Sequence, residues 1–99
     1  MPRVIIVLFE RVQTLDFTAP GEVFAVARKD EAPYFEVVFA STGGGQRTTS
    51  CGLRVDTRDL NRIRPLPSDT VIVAGGDEPG ILDALADPAL IGWLVRAAK

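Results

Sequence analysis

TVIVAGGD, residues 70–77, is the stretch whose reading decides the fold. Val71, Ile72, Val73 and Ala74 form a short continuous apolar run between Pro67-Ser68-Asp69 and Gly75-Gly76, the pattern of a strand buried on both faces. The expectation is a central strand of a parallel sheet, not an edge. Asp77-Glu78-Pro79 and an apolar helical pattern follow, so the chain must turn sharply at the carboxyl end of the strand and enter a helix. In open α/β sheets ligands sit at that end, where backbone N–H groups and helix N-termini gather around a crevice. Glycine there can take positive φ and bring its amide close to another group, although any tight strand-to-helix turn also uses glycine.

The rest of the chain fits around this strand. Residues 4–9 (VIIVLF) repeat the short, β-branched apolar run and predict a second buried strand. A helix is expected over 19–29, with Pro20 and Glu22 in its first turn and Val23, Phe24, Val26 and Ala27 as its buried stripe. Residues 34–41 (YFEVVFAS) predict another strand, bounded by Thr42-Gly43-Gly44-Gly45. That cluster lacks the GxGxxG spacing and no helix follows it, which argues against a phosphate loop. Residues 46–56 suit an extended excursion with a turn at Gly52, and residues 59–67 a polar, proline-limited connection. Pro79 opens a short helix carrying Ile81, Leu82 and Leu85; Asp87-Pro88 reads as an N-cap before a helix carrying Leu90, Ile91, Leu94 and Val95. A β-α-β succession calls for a further parallel strand, so the chain reads as the N-terminal portion of one larger domain occupying residues 1–99.

Composition restricts the chemistry. The chain has 99 residues, 46% of them hydrophobic, a net charge of −2, one cysteine and no histidine. Ser-His and Cys-His nucleophile pairs are therefore absent from this chain, and no zinc site or cofactor is expected. Interspersed charges give no basic footprint for nucleic acid, no run approaches a membrane span, and a single cysteine without a leader segment points to the cytoplasm. Cys51 precedes Gly52 in a turn instead of standing on a strand-to-helix elbow, so it is set aside as a nucleophile. Asp16 is either a ligand-facing carboxylate or an acceptor for backbone amides. Asp77 and Asp87 read most simply as helix caps, and Trp93 as a core residue.

Leu15-Asp16, then Pro20-Gly21-Glu22-Val23-Phe24, then Val73-Ala74-Gly75-Gly76-Asp77, in that order and spacing, resemble the DJ-1/PfpI (class I glutamine amidotransferase-like) superfamily. More narrowly the chain looks like the N-terminal domain of AraC-type transcriptional regulators. The resemblance covers all 99 residues and departs from the common pattern at Arg11 and Ala19. It implies a flavodoxin-like three-layer α/β sandwich with a mainly parallel sheet, present here as roughly its first half. It further implies a pocket bordered by Asp16, Gly75, Gly76 and Asp77, with the glycine amides as an oxyanion hole and Asp16 as the candidate catalytic carboxylate. The function implied is that of a ligand-sensing, homodimerising module taking a small-molecule effector, with DNA bound only through a module outside this chain. The alternative is part of an enzyme of the same superfamily, such as an isonitrile hydratase or amidase-like hydrolase, whose elbow cysteine lies beyond these residues.

Overall fold

The computed structural model describes residues 1–99. Seven strands and three α-helices follow one another as β1 (Arg3–Val7), α1 (Thr14–Val26), β2 (Arg28–Lys29), β3 (Ala32–Pro33), β4 (Glu36–Ser41), β5 (Gly45–Thr48), β6 (Arg54–Asp59), β7 (Thr70–Val73), α2 (Glu78–Leu85) and α3 (Pro88–Ala97), with a 3-10 turn at Leu60–Arg62. Five strands form one sheet in the order β5-β6-β4-β1-β7, and β2 and β3 make a separate small hairpin. β1 runs parallel to β4 on one side and to β7 on the other, β4 pairs parallel with β6, and only β5 is antiparallel.

The centre of the sheet is β1, whose Val4, Ile5, Ile6 and Val7 are all fully buried. Side chains alternate across the sheet. Ile5 and Val7 pack with Val38, Ala40 and Leu60 beneath Leu90 and Trp93 of α3. On the other face Val4, Ile6 and Leu8 pack with Phe17 of α1. Helices thus cover both faces, which makes the three-layer, mostly parallel α/β architecture of the flavodoxin-like type.

Two expectations are corrected here. β7, expected at the centre, forms the outer edge of the sheet and pairs only with β1, leaving Val73 49% exposed. The expected burial on both faces is not found either, since no residue of β7 is fully buried, and a continuous apolar run carries no information about which edge is hydrogen-bonded. The first helix begins at Thr14 instead of residue 19, so Pro20 lies inside it and Asp16, not Glu22, occupies its first turn. Its buried positions are Phe17 and Gly21, while Val23 and Val26 are exposed. The cause is tertiary: the Gln13 amide donates to the Gly75 carbonyl and fixes the start of the helix against the end of β7. Pro20 then costs one intrahelical bond without ending the helix.

The later elements form where the local signals place them. The Asp77 carboxylate accepts from the Gly80 amide and that of Asp87 from the Ala89 amide, capping α2 and α3. Residues 45–59 make the β5-β6 hairpin, with Gly52 at φ 95° in its turn. At the opposite end of the sheet Arg3 clasps the buried Asp69 carboxylate at 3.0 Å and 2.6 Å and donates to the Arg64 carbonyl. The guanidinium holds Asp69 below the ordinary carboxylate range. A depressed carboxylate contributes stability above its unfolded pKa and loses it as pH falls through the folded value. Chemical denaturation of Asp69→Asn should therefore show a loss of ~1–3 kcal/mol near neutrality. The gap to the unsubstituted chain should narrow below about pH 4.

Candidate functional site

β1 sends the chain to β4 on one side and is joined by β7 on the other, so the loops that follow β1 and β7 diverge at the carboxyl end of the sheet. This is the topological switch point at which α/β sheets hold ligands. Ladder geometry continues past the strands, with the Leu8 amide donating to Ala40 and the Ala74 amide to Val7. The β1-α1 loop then bends back at Arg11, which takes φ 68°, a conformation uncommon outside glycine. Several long-range bonds hold the bend. The Arg11 amide donates to Thr48, the Ser50 amide to Val12, the Thr48 amide to a Glu10 carboxylate oxygen, and Val12 forms an antiparallel bridge with Gly76.

All four residues expected at a pocket meet here. The Gly75 amide donates to Asp16 Oδ2 at 2.9 Å, joining two residues 59 positions apart in the chain. While this bond holds, the Gly75 N–H is not free for a substrate oxyanion. Asp77 caps α2 and also pairs with the Arg11 guanidinium, which together hold its carboxyl below the ordinary range. Gly75 and Gly76 do not take positive φ, so the expected reason for glycine is replaced by another. A Cβ on Gly75 would stand 2.7 Å from Asp16 Oδ2, and one on Gly76 2.8 Å from the Arg11 carbonyl oxygen. At Gly76 the close approach of the Arg11 backbone is what excludes a side chain, whereas at Gly75 a side chain would displace the Asp16 carboxylate from its bond.

Cys51 carries a feature the sequence does not disclose. Its sulfur lies 3.2 Å from the Thr14 hydroxyl, at the start of the helix that bears Asp16, and 3.3 Å from that of Thr49. These hydroxyls favour the thiolate and lower the thiol to about 7, with Thr14 the larger contributor. Thr49 could be suspected from its place in the same turn, but Thr14 is 37 residues away and no local pattern connects the two. Because the thiol is exposed, alkylation by iodoacetamide should rise with a midpoint near pH 7, and Thr14→Val should move that midpoint upward. An unchanged profile in the variant would remove the Thr14 hydroxyl as the cause.

A cleft of about 190 Å³ opens beside the switch point, lined by Glu10, Ser41, Thr42, Arg47 and Asp83 among others, but by none of Asp16, Gly75, Gly76 and Asp77. Arg47, which sequence reasoning passes over, is fixed by donating to Ser41 Oγ at 3.1 Å and to the Thr42 carbonyl at 2.5 Å. No group of three or more histidine, cysteine, aspartate or glutamate residues could hold a metal ion. No helix is long and apolar enough to cross a membrane.

No known family profile matches the chain. An uncharacterised protein of the cpoL 5' region in Streptomyces lividans is 32% identical over 75 residues, spanning 76% of this chain and 52% of that protein. Among solved structures, a DJ-1 superfamily protein from Agrobacterium tumefaciens superposes with a TM-score of 0.72 at 22% identity, covering 99% of this chain and 48% of the other. An AraC family transcriptional regulator from Pseudomonas putida superposes at 0.63 and 20% identity over 87% of this chain and 59% of that one. The chain spans about half the length of the proteins it matches. It carries the DJ-1/PfpI-like fold, one shared with an AraC family regulator of known structure.

Proposed function

We propose that this chain is the N-terminal portion of a ligand-sensing and dimerising domain of an AraC-family regulator, with DNA bound through a module outside these residues. The observation that carries the reading is the closed pairing of Asp16 with the Gly75 amide. A carboxylate and an amide that satisfy each other form a structural clasp between helix α1 and the end of β7, suited to registering whether a ligand occupies the crevice. The likeness to the Pseudomonas putida regulator supports the same reading.

In this mechanism a small-molecule effector binds at the switch point, competes for the Asp16–Gly75 bond and shifts the population of two arrangements of paired subunits. Only an effector that binds one arrangement better than the other can do so. A coupling of about 1–3 kcal/mol would change DNA affinity roughly 5- to 150-fold.

The test is the reading frame that contains these 99 codons. A following helix-turn-helix pair with a basic recognition helix, and retardation of upstream DNA by the full-length protein, would bear the proposal out. A frame that closes soon after a strand-to-helix elbow cysteine would overturn it and favour an isonitrile hydratase or amidase-like hydrolase. In that enzyme Asp16→Asn should abolish turnover.

A further inference from the structure

Four guanidinium groups gather along residues 58–66 and the last turn of α3, and they belong to neither the switch point nor its cleft. Arg62, Arg64 and Arg96 line a depression of about 420 Å³, and Arg58, Arg62 and Arg64 line a second of about 670 Å³ with Arg3. The two depressions share Arg62, Ile63 and Arg64 and so adjoin along that segment, together making one arginine-lined groove. The chain's three ion pairs leave Arg58, Arg64 and Arg96 unmatched, and Arg62 reaches Asp59 only at 3.7 Å. That aspartate already accepts from the Gly43 and Asn61 amides. Asp69 is spent on Arg3 and the Leu66 amide, and Glu36 lies near enough to Arg3 to favour its charge. The surplus of positive charge stands out in a chain of net charge −2.

The segment carrying these arginines is held in place. The Trp93 indole donates to the Ile63 carbonyl at 2.8 Å, Arg3 donates to the Arg64 carbonyl at 2.9 Å, and the Ile63 amide donates to Leu60. Pro65 and Pro67 stiffen the backbone leading on toward β7. A fixed backbone presents Arg62 and Arg64 to both depressions, so an anion bound there would meet donors without first ordering the loop. Guanidinium forks match the oxygens of phosphate groups two at a time. A groove of two joined parts suits several anionic groups in series better than one.

We propose that this groove binds a run of consecutive phosphates, either a free oligophosphate or, as a contact additional to the DNA-binding module outside these residues, the backbone of a nucleic acid. Titration of the 99-residue chain with sodium tripolyphosphate and, separately, with a short DNA duplex should move the amide resonances of residues 58–66 and 96. Sodium sulfate at equal ionic strength should leave them in place. The exposed double variant R62A/R64A should weaken binding about tenfold or more while melting like the parent. The equal-charge variant R28A/R54A, on segments that do not line the groove, should bind as the parent does. With about three phosphates engaged, raising salt from 50 to 200 mM should weaken the duplex complex roughly 40-fold. Shifts with either phosphate ligand support the site, and the ligand that produces them identifies the source. Shifts reproduced by sulfate, or a loss in R28A/R54A equal to that in R62A/R64A, would overturn it.

Discussion

Trp93→Ala should be among the most damaging single substitutions in this chain, costing about 3–5 kcal/mol. Trp93 is fully buried and sits with Leu90 over Ile5, Val7, Val38 and Ala40, so truncation removes apolar contact and leaves a cavity between α3 and the sheet. It also strands the Ile63 carbonyl, which accepts from the indole N–H. Trp93→Phe separates the two effects: most of the volume stays, the donor goes, and the cost should fall to about 1–3 kcal/mol. Since a domain of this size holds ~5–15 kcal/mol in total, the alanine variant should melt more than about 12 °C below the parent. A shift of only a few degrees would mean that α3 is not anchored through this side chain.

Gly76→Val should destabilise by about 3 kcal/mol, and Gly76→Ala by roughly half that. A Cβ at this position would meet the Arg11 carbonyl oxygen at 2.8 Å and the Phe9 ring at 3.0 Å. The ring can give way, but the Arg11 carbonyl cannot easily do so, because the loop is pinned by the Val12–Gly76 bridge and by the Arg11–Thr48 and Ser50–Val12 bonds. Displacing it would also move Thr14 away from Cys51. The valine variant should therefore show a raised thiol midpoint in alkylation as well as a lower denaturation midpoint. Loss of stability with an unchanged thiol profile would show that the loop absorbs the side chain locally.

Much of this architecture is legible in the sequence. Apolar runs of four to six residues bounded by proline, glycine or charged residues mark β1, β4 and β7, and Asp77 and Asp87 cap their helices as their spacing from Gly80 and Pro88 suggests. Such features depend on neighbours within a few residues, where side-chain size, branching and capping geometry act directly. The order of the strands does not. Nothing in the pattern of residues 70–74 states that β1 takes the centre and β7 the edge, because that arises from where the crossovers return the chain. The start of α1 is a similar case. Thr18 and Pro20 are local start signals, yet the bonds from Gln13 to Gly75 and from Gly75 to Asp16 bring the first turn forward to Thr14.

By itself, then, the sequence determined the α/β class, the parallel β-α-β succession, the helix caps and the absence of histidine chemistry, all of which rest on local pattern or composition. The tertiary structure decided that the Asp16 carboxylate closes on the Gly75 amide, that Thr14 lowers Cys51, and that four arginines share one groove. Each is a meeting of groups that lie far apart along the chain, apart from neighbours such as Arg62 and Arg64. Hydrogen bonds and electrostatic fields act across ångströms of space whatever the separation in sequence, and only the folded sheet sets those distances.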